Sequence, residues 1–237
     1  MIKLSKRLKT IADMCGHGRG IADVGCDHAY IPIFLIQNGR FEHASAIDVN
    51  AGPLNGAEKN ARSEYVYDKM DFCLSDGLVS YPEELDDEVL LIAGMGGRLM
   101  AQILAESEKR TEQFERFVFS PHSELAEFRY FAGTHGICID AEQTVSEDGK
   151  QYTVISAVHG SDSCTDECEH EYGKASLQKD PAAYVNMLEK NLEIYSKLLN
   201  GKCHLPDERR SELERAYALN AEAVRRYEMQ RDNRKTE

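Results

Sequence analysis

The stretch Asp23-Val24-Gly25-Cys26-Asp27-His28, followed by Ala29-Tyr30-Ile31-Pro32, decides the fold. An apolar run, Gly20 to Val24, ends there in glycine and carboxylate, and an apolar helical segment, Tyr30 to Asn38, begins at once. Pro32 is tolerated because it falls in the first helical turn, and Gly39 stands where a helix end favours a residue free to turn left-handed. Strand, glycine turn and helix open a βαβ unit. Ala44 to Val49 repeats the pattern and carries Asp48, 25 residues beyond Asp23. Met70 to Leu74 leads into Ser75-Asp76-Gly77, and Val89 to Ala93 into Gly94-Met95-Gly96-Gly97. In a parallel sheet these ends share one edge, so glycines and carboxylates there line a single crevice for a nucleotide-like ligand.

Working outward, helices are expected over Pro53–Glu64, Leu99–Glu108 and Ser123–Thr134, with a fifth strand, Arg116–Ser120, stopped by Pro121. A short amphipathic helix containing Leu8, Ile11 and Ala12 precedes the sheet. Extended runs Gly136–Val145 and Gln151–Val158 flank Asp148-Gly149, a hairpin signal. Repeated βα units that finish in an antiparallel hairpin are the arrangement of the seven-stranded sheet used by many methyltransferases. From Ser161 the chain becomes polar and densely charged. Two helical stripes follow, Tyr184 to Leu199 and Glu208 to Arg231, parted by Gly201–Pro206. They read as a coiled-coil-like helical hairpin. The expected division is an α/β domain over residues 1–160 and a helical domain over 161–237.

The 237 residues are 42% hydrophobic, enough for a sizeable core, with mean hydropathy −0.50. No run reaches the roughly 18 apolar residues of a membrane span. The basic N-terminus has no apolar region behind it to act as a secretory signal. Seven cysteines without regular spacing suit reduced thiols, so a cytoplasmic location is expected. Net charge is −13, which opposes any general affinity for phosphate. The positive charge is local: Lys3, Lys6, Arg7, Lys9 and Arg19 crowd the start, a basic edge on an acidic body that suits RNA contact.

The crevice discriminates among ligands. A dinucleotide turn needs Gly-x-Gly-x-x-Gly so that its backbone can approach a pyrophosphate. From Gly25 this chain reads Gly-Cys-Asp-His-Ala-Tyr, and Asp27 would face two phosphates; a P-loop is missing as well. S-adenosylmethionine carries no phosphate. It offers a cationic amine, a sulfonium, a ribose diol and an adenine, and carboxylates suit its positive groups. Asp23 or Asp27 would face the methionine end, Asp48 with Val49 and Asn50 the ribose, and Asp76, with Gly77 allowing close approach, the adenine amine. Gly25, Cys26, His28, Gly94, Met95 and Gly96 complete the cofactor loops in this reading.

Asp23-Val-Gly-Cys-Asp-His-Ala-Tyr-Ile-Pro32, Ala46-Ile-Asp-Val-Asn50 with Gly52-Pro53-Leu54, Ser75-Asp-Gly-Leu78 and Ile92-Ala-Gly-Met-Gly-Gly97 together resemble the bacterial tRNA (adenine-22 N1)-methyltransferase family. Leu4-Ser-Lys-Arg-Leu8 and the trailing helical hairpin resemble it too. The likeness covers nearly the whole chain. It implies a Rossmann-like class I SAM-dependent methyltransferase sheet with a C-terminal helical domain, S-adenosyl-L-methionine as cofactor and tRNA as partner. One tract departs: where the family carries Gln-Pro-Asn after the fifth strand, this chain has Ser120-Pro121-His122.

Methylation of adenine N1 needs no general base, because the ring nitrogen already offers a lone pair. The enzyme must align that lone pair with the methyl–sulfur axis and hold the base out of the RNA stack. Asp27, His28, Tyr30 and the Gly94 carbonyl are the expected positioning groups, with Lys3, Lys6, Arg7, Lys9, Arg19 and His122 on the RNA. The strand-four tract lacks the Asp/Asn-Pro-Pro-Tyr pattern of exocyclic-amine methylation. His28 without a second ligand at fixed spacing does not suggest a metal, and Cys164, Cys168, His170 and Cys203-His204 are too irregular for zinc and read as surface residues. Two alternatives stand beside this reading: a same-fold enzyme acting on another RNA base or a small molecule, and a binding module that recruits a partner through its hairpin.

Overall fold

A computed structural model describes residues 2–161, 166–201 and 205–233. Seven strands form one sheet in the order β3-β2-β1-β4-β5-β7-β6: β1 (Gly18–Val24), β2 (Phe41–Asp48), β3 (Met70–Leu74), β4 (Val89–Ala93), β5 (Arg116–Ser120), β6 (Ile137–Glu147) and β7 (Lys150–His159). β1 to β5 run parallel, and β7 inserts antiparallel between β5 and β6. The chain order reverses between β1 and β4, which opens the crevice beyond their carboxyl ends.

The sheet is buried on both faces, as continuous apolar strands require. Val89 and Leu91 of β4 pack with α1 (Lys6–Cys15), α2 (Tyr30–Gln37) and α3 (Ala51–Ser63) through Ile11, Ile33, Leu35 and Leu54. Leu90 and Ile92 face the other way, against Met100 and Leu104 of α4 (Gly97–Glu106) and Phe128 of α6 (Leu125–Thr134). Between those two helices lies the short α5 (Glu108–Thr111). Helix ends follow local chemistry. Ser5 caps α1 by accepting from the Leu8 amide at 3.3 Å. Gly39 closes α2 with the paired bonds of a Schellman turn, its own amide to Ile36 and that of Arg40 to Leu35, both 3.0 Å. The hairpin turn is Asp148-Gly149 with φ of 49° and 76°, the left-handed pair a tight hairpin demands.

At the amino edge of the sheet the side chain of Asp87 is buried and accepts from Ser45 Oγ at 2.5 Å and Tyr81 Oη at 2.7 Å. His43 bridges it to Asp71, at 3.4 and 2.8 Å. Both carboxylates favour the imidazolium, so the His43 pKa lies above the ordinary value, Asp87 being the larger cause.

The C-terminal part comprises α7 (Glu167–Tyr172), which the sequence does not announce, then α8 (Pro181–Leu199) and α9 (Asp207–Asn233). α8 and α9 pair along Tyr184, Leu188, Ala223 and Val224, while Leu198 and Tyr217 of the expected stripe are exposed. Cys168 is not on the surface as expected. It is buried against α9 and donates to the Leu219 carbonyl at 3.5 Å, so it is a packing residue. Cys164 and Cys203-His204 lie outside the described residues, among which no His/Cys/Asp/Glu group could hold a metal.

Arg129 of α6 joins these helices to the sheet. Its side chain is 2% exposed and grips Glu142 of β6 with two bonds, 2.7 and 3.2 Å, while its remaining nitrogen donates to the His170 and Glu171 carbonyls at 2.7 and 2.8 Å. Gln178 donates to the same Glu142 carboxylate at 2.8 Å, and a Cβ at Gly173 would lie 2.0 Å from it. The buried charges are thus paired and hydrogen-bonded, as burial requires.

Candidate active site

The turn after β1 shapes the site. Gly25 leaves the strand at φ 75°, and Asp27 and Ala29 are also left-handed, at 46° and 55°. Such backbone costs on the order of 1 kcal/mol or more for non-glycine residues and persists only when its surroundings enforce it. Here the amides of Gly25 and Cys26 both bond the Ile47 carbonyl, at 2.9 and 3.1 Å, and Ala29 is wholly buried with its amide on Cys26 at 2.7 Å. The loop is thereby pinned across β1 and β2, and the Asp27 side chain is left exposed.

A cavity of about 440 Å³ opens over this turn, lined by Asp23, Gly25, Cys26, Asp27, Tyr30 and Gly94, with Arg7 and His122 on one wall. Asp23 is its deepest charge. Burial, then the charges of Asp48 and Asp27, push its carboxyl up to about 7. The same burial and carboxylates raise the Cys26 thiol, so it stays protonated. A carboxyl whose charged form is disfavoured by burial and by neighbouring carboxylates is suited to a positively charged ligand.

Asp48 stands at the end of β2, buried, with Oδ1 accepting from the Asn50 amide at 2.8 Å and, among the described residues, no donor on Oδ2. Val49 beside it is exposed, as is Leu74, the β3 residue paired with Asp48. Asp76 is exposed on the loop beyond. Gly77 is glycine because a Cβ would meet Ile103 at 2.8 Å.

Several expected residues fall elsewhere. Gly96 and Gly97 accommodate the turn before α6: added Cβ atoms would meet the Glu124 carboxylate at 2.7 Å and its carbonyl at 2.5 Å. Of that tract Gly94 lines the cavity, and Met95 lies against the turn after β1, its Cε 2.8 Å from where a Cβ at Gly25 would stand, with its carbonyl accepting from the His122 amide at 2.9 Å. His28 sits outside the cavity wall, its ring 5.5 Å from Tyr30 and its carbonyl on Asn60 at 3.0 Å. Arg19 is at the amino end of β1, the opposite edge of the sheet, and binds Glu88 and Asp86. Lys9 pairs with Asp13, while Lys3 and Lys6 are exposed.

Arg7 and His122 meet. Arg7 Nη1 lies 3.0 Å from His122 Nε2, its backbone amide donates to Glu147 at 2.8 Å, and its guanidinium lies 5.0 Å from the Tyr152 ring centroid. Tyr152 in turn packs on His122 at 5.5 Å. Glu147 and Tyr152, from the hairpin, carry no sequence motif; the antiparallel pairing of β6 and β7 brings them against Arg7 and His122 on the cavity wall. Leu8, Ile31 and Ala93 complete its apolar lining.

The family described as "Methyltransferase domain" matches residues 4–155. A tRNA (adenine(22)-N(1))-methyltransferase of Bacillus subtilis is 31% identical over 159 residues, 67% of this chain, and the match spans 66% of that protein's length. The solved structure of Sp1610 from Streptococcus pneumoniae, in complex with S-adenosyl-L-methionine, is 30% identical with a TM-score of 0.82, covering 94% of this chain and 100% of that one. M. capricolum TrmK, solved with S-adenosyl-homocysteine, is 26% identical with a TM-score of 0.81, covering 94% and 99%.

Proposed function

We propose, because this chain belongs to the methyltransferase-domain family and within it to the bacterial tRNA (adenine-22 N1)-methyltransferases, that it transfers the methyl group of S-adenosyl-L-methionine to N1 of adenine 22 in tRNA. The observation that carries this reading is the buried Asp23 carboxyl beneath a cavity rimmed by Asp27, with Asp48 at the next strand end. That donor set fits the cofactor: Asp23 and Asp27 toward its amine and sulfonium, Asp48 Oδ2 toward the ribose hydroxyls, and the exposed Val49 and Leu74 against the flat adenine. Asp76 is placed to accept from the adenine amine.

Bound there, the cofactor supplies an electrophilic methyl group. The protein's part is to bring the N1 lone pair into line and keep water away. Tyr30, half-exposed at the mouth, offers a ring on which an extruded base can stack, and the Gly94 carbonyl and Asp27 carboxylate suit the positive charge that the base acquires. No residue need remove a proton. Among the described residues no helix is long and apolar enough to cross a membrane, and the reading places the reaction in the cytoplasm. The helices α7–α9, as a unit beginning near residue 160, together with Lys3, Lys6 and Arg7, would contact the tRNA body.

Incubation of purified protein with tRNA transcript and labelled cofactor, followed by nucleoside analysis and primer extension, tests this. A stop at position 22 and 1-methyladenosine in the digest are expected. Methylation elsewhere, or of a small molecule only, would refute it.

A further inference from the structure

We propose that His122 reads the target base: held as its neutral Nδ1–H tautomer by Arg7, it donates that hydrogen to a ring nitrogen of the purine other than the one being methylated. The inference rests on the tRNA reading and deepens it at a position where this chain departs from its family's Gln-Pro-Asn tract.

Arg7 fixes the tautomer. A guanidinium has donors and no acceptor, so at 3.0 Å from Arg7 Nη1 the Nε2 atom of His122 must accept, and the ring proton must sit on Nδ1. The orientation is fixed as well. The His122 amide is tied to Met95, the ring leans on Tyr152, and Tyr152 lies under the same guanidinium. Arg7 in turn is held by Glu147 through its backbone amide, with a further contact from Nε at 3.9 Å. His122 is exposed at the rim of the cavity, yet the desolvation it meets there, then the charges of Arg7 and Lys150, disfavour the imidazolium. Among the described residues none accepts from Nδ1, while the residue lines the cavity with Asp23, Asp27, Tyr30 and Gly94.

An adenine whose N1 faces the methyl donor has two other ring acceptors, N3 and N7. An N–H held at the cavity rim by Arg7 and Tyr152 is matched to one of them. Neutrality matters, because an imidazolium there would oppose the positive charge the ring gains on methylation.

The test uses tRNA assembled from two ligated halves, with adenosine, 7-deazaadenosine or 3-deazaadenosine at the target position. Methyl transfer is measured with the wild-type protein, His122→Phe and His122→Asn. Each analogue's rate is taken relative to adenosine, so that the wild-type and variant ratios can be compared and intrinsic reactivity cancels. Wild-type kcat/KM should fall by about tenfold on one analogue beyond the fall seen with His122→Phe, the scale of one unmade hydrogen bond. His122→Phe should lose about tenfold on adenosine itself, and His122→Asn, which keeps an N–H donor, should recover part of that. Calorimetric binding of S-adenosyl-homocysteine to His122→Phe at wild-type affinity confirms an intact site. Identical analogue ratios for wild type and His122→Phe overturn the proposal. Wild-type protein that leaves the adenosine tRNA unmethylated strikes instead at the function on which the proposal rests, and overturns both.

Discussion

Binding of S-adenosyl-homocysteine should depend on pH through one group, Asp23. Its carboxyl titrates at about 7 in the free protein, raised by burial first and by Asp48 and Asp27 after it. A ligand ammonium placed against it favours the charged form and releases the proton. A group with its midpoint at 7 is ionised in about one molecule in eleven at pH 6 and about ten in eleven at pH 8. Affinity should therefore rise about tenfold across that interval, about 1.4 kcal/mol, with about half a proton released per ligand at pH 7. S-adenosyl-homocysteine is the right probe because its amine, lacking a neighbouring sulfonium, keeps its proton throughout. Calorimetry at pH 6, 7 and 8, in two buffers of different ionisation enthalpy, reads both quantities. The same carboxyl works against the free protein. Its folded pKa exceeds the ordinary 3.8, so its stabilising contribution is complete below that value and is lost as pH rises to about 7 and beyond. The interval is equivalent to at most about 4 kcal/mol. Asp23→Asn should thus unfold at higher denaturant than wild type at pH 8, with little or no gain at pH 4, and bind the ligand weakly at every pH. Affinity that is flat from pH 6 to 8, with buffer-independent heats, would refute the reasoning.

Other consequences are simpler to check. Asp48→Asn should shift the binding midpoint below that of wild type, since it removes the larger of the two charges acting on Asp23, and weaken affinity; the same calorimetric series reads both. Arg129→Ala leaves Glu142 charged, buried and short of its partner, and should cost about 3–5 kcal/mol in urea denaturation; a double change to Arg129→Met and Glu142→Leu should recover most of it. Gly97→Ala drives a methyl against the Glu124 carbonyl and should cost roughly 1–3 kcal/mol, visible as a lower Tm. His43 has a raised pKa, so its stabilising contribution is present below the ordinary value and fades as pH climbs through the folded one. In an Asp23→Asn background, His43→Gln should lessen the fall in stability that sets in as pH climbs past the ordinary histidine value, read by urea denaturation across a pH series.

The strands and the crevice are legible because each rests on local rules: apolar runs, glycine where a turn needs it, and carboxylates at strand ends. The hairpin is legible for the same reason, Asp148-Gly149 fixing its register. What escapes is whatever depends on a neighbour distant in sequence. Gly96 and Gly97 read as a ligand loop, but nothing local announces how closely they fit against Glu124. Arg19 belongs by sequence to the basic start but lies at the far end of β1. Cys168, in a polar segment, gives no hint of the α9 surface that covers it. Arg129 sits mid-helix like any solvated charge until β6 and α7 are laid beside it. His122 could be listed as a candidate, but not Arg7 as its holder, because that pairing needs α1 laid across β5 and the distant hairpin.

The buried clasp of Arg129 on Glu142 has a consequence for dissecting the molecule. Cutting the chain after residue 160 would strip the guanidinium of the His170 and Glu171 carbonyls and the carboxylate of Gln178, leaving a half-satisfied ion pair facing water that the sheet never evolved to meet. The helices are therefore not a detachable handle. β6 carries that clasp at Glu142 and, five residues on, holds Arg7 through Glu147, so an amputated core would bring its loosened strand directly to the mouth of the cavity.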